Sequence, residues 1–147
     1  MADPIGNRPH RVNLDGKSKT ELGTSDAALK PGTFVKFVNG KYVVAGAKVP
    51  GMFVVGCDDK VGGSILTAIE AGESVTADYA EDGRVFALLA EAGSVLKAHE
   101  TALKLAADGS VEVATLPDDA ALVVAVATED YTVPAAPAFA HVKARLV

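Results

Sequence analysis

Cys57-Asp58-Asp59 sets a thiol beside two carboxylates, the ingredients of a nucleophile with an acid neighbour. Adjacent negative charge disfavours the thiolate, so this is poor chemistry for a reactive cysteine. Cys57 is expected as a small residue at a strand end, at least half-buried. His99-Glu100 offers an acid/base pair, but successive side chains on a strand point to opposite faces. A solvated turn is the expected setting. His10, His99 and His141 are far apart, and no His-x-x-x-His or Cys-x-x-Cys spacing exists, so nothing points to zinc. The acidic pairs Asp58-Asp59, Asp118-Asp119 and Glu129-Asp130 lack the graded oxygen ligands of an EF-hand loop. Acids also collect in turns for backbone reasons. Gly62-Gly63-Ser64 lacks the Lys-Ser/Thr of a phosphate-binding loop, and neither Ser64 nor Ser74 lies in a Gly-x-Ser-x-Gly elbow. A carrier domain needs a lysine at a hairpin tip, and neither Asp-Gly turn has one. The expectation is a non-enzyme with no catalytic residue, cofactor or metal.

The elements that would position these groups read as strands. The chain has 147 residues, 49% hydrophobic and 22% charged, enough for one domain with an appended arm. Val, Ala and Leu dominate, aromatics are 5%, and tryptophan is absent. That composition builds a core of small branched side chains and leaves few stacking platforms for bases or sugars. The net charge of −5 argues against nucleic acid as a partner. The charge is uneven: residues 1–20 hold Arg8, Arg11, Lys17 and Lys19 against Asp3 and Asp15, a net of +2, so the other 127 carry −7. A single cysteine precludes an intrachain disulfide and suits a reducing cytosol. No apolar run reaches membrane-spanning length, and the first residues lack the apolar core of a signal peptide.

Residues 1–26 read as an extended arm, because Pro4 and Pro9 disfavour helix, with room for a short strand at Arg11–Leu14. Residues 27–147 read as the folded domain. Asn39-Gly40 lies between two β-branched runs, Phe34–Val38 and Tyr42–Ala45, and marks a type I′ hairpin. Further strands are expected at Met52–Gly56, after Gly63, after Asp82-Gly83, over Leu122–Asp130 and over Ala138–Val147. In the last of these, Ala140, Val142, Ala144 and Leu146 form the better core face, opposite Phe139, His141, Lys143 and Arg145. The segment Glu91–Ala107 is open to two readings, turn-and-strand or short helix, since Val95, Ala98, Ala102 and Ala106 fall at helical spacing. A short repeat links Ile69–Glu73, followed by Asp82-Gly83, with Leu96–Glu100, followed by Asp108-Gly109. It suggests two similar hairpins in one barrel. The fold expected is all-β, a small compact barrel or sandwich (β-tulip-like) with at most one short helix.

The order of phrases resembles the capsid decoration (cement) proteins of tailed bacteriophages. It is carried by "ALKPGTFVKFVNGKYVVA", "GMFVVG", "TAIEAGESVTADYAEDGRVFALLA", "VLKAHETALKLAADGSVEVA", "VVAVATED" and "HVKARLV", within residues 27–147. His99 departs from that pattern, which often has glycine there. The resemblance implies a non-enzymatic protein on the outer surface of the phage head, made in the host cytoplasm. Such proteins commonly associate as trimers and stiffen the shell by bridging major capsid protein subunits. The arm's Arg8, His10, Arg11, Lys17 and Lys19 are then expected to contact an acidic shell surface. Deleting residues 1–20 is expected to weaken that contact without unfolding the body. A tail or fibre module binding a host ligand is the competing expectation, and a small carrier or hydrolase of unrecognised type ranks behind it.

Overall fold

The computed structural model describes residues 12–14, 19–56, 68–135 and 139–147. The strands are β1 (Thr20–Ser25), β2 (Phe34–Val38), β3 (Lys41–Val44), β4 (Phe53–Val55), β5 (Ser74–Tyr79), β6 (Val85–Glu91), β7 (Val95–Leu96), β8 (Ala102–Leu105), β9 (Val111–Val113), β10 (Val123–Ala127), β11 (Tyr131–Thr132) and β12 (Phe139–Leu146). A 3₁₀ turn covers Ala120–Leu122. The all-β expectation holds, and Glu91–Ala107 resolves as turn and strand rather than helix. β1 lies inside the span expected as an arm.

Ten of these strands close into two five-stranded barrels, ordered β1-β3-β2-β4-β5 and β10-β12-β6-β9-β8, and β7 pairs with β11 outside them. Read along the chain, the second barrel repeats the first: β6, β8, β9, β10 and β12 take the places of β1 to β5. In each, the first and third strands run parallel and every other neighbouring pair runs antiparallel. Local bonds repeat as well. Gly32 N–H donates to Val55 O (2.9 Å) as His99 N–H donates to Ala127 O (2.7 Å). Ala45 N–H donates to Phe34 O (3.0 Å) as Ala114 N–H donates to Ala102 O (2.9 Å). The true repeat therefore aligns Leu29-Lys30-Pro31-Gly32 with Leu96-Lys97-Ala98-His99, and Asn39-Gly40 with Asp108-Gly109.

That corrects the expectation of two similar Asp-Gly hairpins. Asp108-Gly109 joins β8 to β9 within one barrel. Asp82-Gly83 instead carries the chain from β5 of the first barrel to β6 of the second, and Gly83 N–H donates to Leu146 O (2.8 Å). Asn39-Gly40 makes the expected hairpin, with φ of 51° and 80° as a type I′ turn requires.

The barrels are joined through one face of the first. Val35 points into its own barrel with Leu29, Tyr42, Val55, Val75 and Ala77. Phe34, one residue earlier, points outward by strand alternation. There it joins Ala45, Met52 and Val54 in the core of the second barrel, beside Phe86, Leu88, Leu103, Val111, Val142 and Leu146. Ala144, Val142 and Leu146 are core, as the alternation of the last strand predicts. His141, on the opposite face, is nevertheless buried, because Pro31 covers it and its Nε2 lies 2.8 Å from Pro31 O.

Residues 12–14 lie along β6. Ala87 N–H donates to Val12 O (2.7 Å), Leu14 N–H donates to Val85 O (3.0 Å), and Val12 is part of the core. The short strand expected at Arg11–Leu14 thus appears as a bridge at Asn13. Deleting residues 1–20 would strip a core side chain and the first residue of β1, so the body would not be left intact as expected.

Phe34→Ala should cost about 3–5 kcal/mol, the range for a deleted buried aromatic, read as a lowered midpoint in urea unfolding. His99 holds φ at 64° in a turn where its counterpart is glycine. His99→Gly should raise stability by about 0.5–1 kcal/mol, the left-handed strain released less the extra unfolded-state entropy. Thermal unfolding at fixed pH checks it.

Candidate functional site

Among the described residues the candidate catalytic groups do not converge. Arg8, His10, Arg11, Lys17, Cys57, Asp58, Asp59 and Gly62-Gly63-Ser64 lie outside the described residues. Ser74 is exposed at the start of β5. His99 and Glu100 sit in an exposed turn in which Glu100 pairs with Lys97 (3.3 Å). The later acids serve the backbone: Asp119 accepts from Thr115 N–H (2.9 Å), Glu129 from Lys143 N–H (2.8 Å) and Asp130 from Ala98 N–H (2.8 Å). Asp119 also pairs with Lys104 at 3.0 Å. The Thr115 N–H, then Lys104, hold the Asp119 carboxyl below its ordinary range, and the Asp119 hydrogen bond raises Lys104 in turn. Among the described residues no group of three His, Cys, Asp or Glu is placed to hold a metal.

A cleft of about 330 Å³ opens between the barrels, lined by Phe34, Val49, Pro50, Met52, Tyr79 and Val124 among others. Among the described residues, the charged side chains in its lining are Lys48 and Asp82, and no histidine, cysteine or serine lines it. Lys48 Nζ donates to Val123 O (3.0 Å) across the joint. Such a lining can hold an apolar group; it offers no nucleophile with a base.

The first barrel's open end is more distinctive. Four of the chain's eight phenylalanines and tyrosines gather there. Phe37 and Tyr42 are register partners with ring centroids 4.4 Å apart; Phe53 lies 5.5 Å from Tyr42 and 5.6 Å from Tyr79. Gly23 makes room for them: a Cβ there would stand 2.7 Å from the Tyr42 ring and 2.9 Å from Phe37. Tyr42 is buried and its hydroxyl donates to Glu21 O (2.9 Å). Phe37 and Tyr79 are 37% and 39% exposed, and the hairpin tip Asn39-Gly40 stands beside them. Lys19 is exposed at the same end, its carbonyl accepting from Tyr79 N–H (2.7 Å).

Low aromatic content hid this cluster in the sequence. Its signal is the period-two spacing of Phe37, Tyr42, Phe53 and Tyr79 in strands that meet at one barrel end. Their counterparts in the second barrel, Leu105, Val111, Ala125 and Leu146, are aliphatic, and there Phe86 and Leu88 supply the bulk from β6.

No family model matches the chain, and no curated protein matches it. Solved structures share its fold. The crystal structure of the head fiber gp8.5 N base in bacteriophage phi29 superimposes with a TM-score of 0.57 at 13% identity, covering 89% of this chain and 95% of that one. The two-barrel architecture is therefore common to both chains.

Burial, followed by the charges of Glu21 and Asp78, pushes the Tyr42 hydroxyl up to about 12. A phenol whose folded pKa is raised keeps its proton in the fold after the unfolded chain has lost it. Its contribution to stability is thus complete below pH 10 and is lost as pH climbs towards 12. Absorbance titration should show a last tyrosine ionising near pH 12, and Tyr42→Phe should remove that step.

Proposed function

We propose that this chain is a non-enzymatic structural protein of a phage virion, bound to the outside of the head. There it bridges major capsid protein subunits, associates as a trimer and stiffens the shell. The observation that carries this is the shared fold with a phage head fiber base over nearly the whole length of both chains. The physical character of the chain supports it. Two closed barrels fused through one core make a rigid body without free central sheet edges. A lattice protein needs such a body, a contact with its own copies and a patch for the shell. Binding repeated over many copies asks little of any one site.

The basic arm supplies the shell patch. Arg8, His10, Arg11 and Lys17, together with exposed Lys19, complement an acidic capsid surface, while the body carries the negative balance. Val12 is a core residue, so the arm can be shortened only up to that point without opening the core.

The test mixes purified protein with expanded, undecorated heads and images them. Added density at symmetry-related positions on the head is expected, and shortening the arm by deleting residues 2–10 should lower occupancy with an unchanged thermal midpoint. Absence of binding to heads, or labelling of tails alone, would overturn the reading in favour of an adhesion module.

A further inference from the structure

The contact between the two barrels is directional. The end of the second barrel, with the β8–β9 hairpin tip, is set against the outer face of the first. Phe34 N–H donates to Gly109 O (2.9 Å), and a Cβ on Gly109 would stand 2.9 Å from Phe34 O and 3.2 Å from Val44 Cγ1. Gly46 approaches Ala107 just as closely: a Cβ there would stand 3.2 Å from Ala107 O. One barrel end and one barrel face are thereby used.

Because the barrels repeat, each used surface has an unused counterpart. The counterpart of the docked end is the open end of the first barrel, with Phe37, Val38, the Asn39-Gly40 tip and Tyr79. The counterpart of the covered face, built from Thr33, Phe34, Val44, Ala45 and Gly46, lies on the second barrel: Thr101, Ala102, Val113, Ala114 and the chain that follows. Both are apolar. Phe37, Val38 and Tyr79 on the first surface and Val113, Leu116 and Leu122 on the second are six of the nine large apolar side chains exposed among the described residues. A scattered set of exposed apolar residues needs no explanation, but a set sorted onto two matched surfaces marks a contact.

We infer that the open aromatic end of the first barrel docks on the Val113–Leu122 face of the second barrel of another copy, repeating between chains the contact made within one. The occupant is a second copy of this chain, because the chain already presents both halves of that contact and satisfies one pair internally. The interface is heterologous: different surfaces meet, so copies add head to tail and the set is complete only when a ring closes. This inference names the seam for the trimer proposed above and rests on that reading only for the number of copies.

The test uses the full-length chain with Cys57→Ser as background. Val38→Cys and Val113→Cys replace two exposed valines, so folding should survive, which circular dichroism checks. Under mild oxidation the double variant should form covalent oligomers. A mixture of the two single variants should give one cross-linked dimer, and neither single variant alone should give that heterodimer. In light scattering, Val38→Asp or Val113→Asp should raise the concentration needed for association by at least about tenfold. A protein that associates without this cross-link, and whose association both aspartate variants leave unchanged, would overturn the seam while leaving the trimer standing. A chain monomeric at every concentration would overturn this contact as a solution interface. Binding to heads, measured separately, would still decide the structural role.

Discussion

Phe34 stands at the point where two closed surfaces become one body. Its side chain leaves β2 on the side away from its own barrel and enters the core of the other. Its N–H reaches the second barrel at Gly109, and its carbonyl receives Ala45 of its own. A barrel has no edge to lend, so two barrels are joined through side chains and the occasional backbone group at a hairpin tip. The joint here uses both. Pro31 and Gly32 extend it: Gly32 O accepts from Leu89 N–H (3.0 Å), and Pro31 O meets the buried His141.

The two barrels fill the same ring of strands by different distributions of volume. In the first, β1 gives almost nothing at Gly23, and aromatic rings from the other strands close over it. In the second, β6 gives Phe86 and Leu88, and the facing strands respond with Val111 and Ala125. Cores tolerate such exchanges when total volume is kept. The exchange also divides labour. The aliphatic barrel end is the one buried at the joint, and the aromatic end is the one left facing outward.

Much of this was legible in the chain. Asn39-Gly40 specified its turn, and alternation over Ala140–Leu146 specified its core face. Asp-Gly obscures the repeat, because the same turn signal serves unrelated connections at residues 82 and 108. The pairs that do correspond, Phe34 with Ala102 and Tyr42 with Val111, share a register but little chemistry, so composition alone conceals them. The helical spacing of Val95, Ala98, Ala102 and Ala106 had no force of its own. Closing the second barrel required β8 beside β9 and β10, and tertiary pairing overrode it. His141 lies on the outer face, as strand alternation predicts; its burial depends on a loop from the other barrel, which no local pattern encodes.

Gly32 and His99 occupy the same corner of the two repeats, yet their freedom to vary differs. A Cβ at Gly32 would stand 2.8 Å from Ala87 O and 2.8 Å from the His141 ring, because that corner is pressed into the neighbouring barrel. The corner at residue 99 faces outward and carries a full imidazole. A repeated fold thus acquires unequal mutational tolerance as soon as its copies meet asymmetrically. The inner copy of each motif is held by its sibling, and the outer copy becomes the place where the chain can drift.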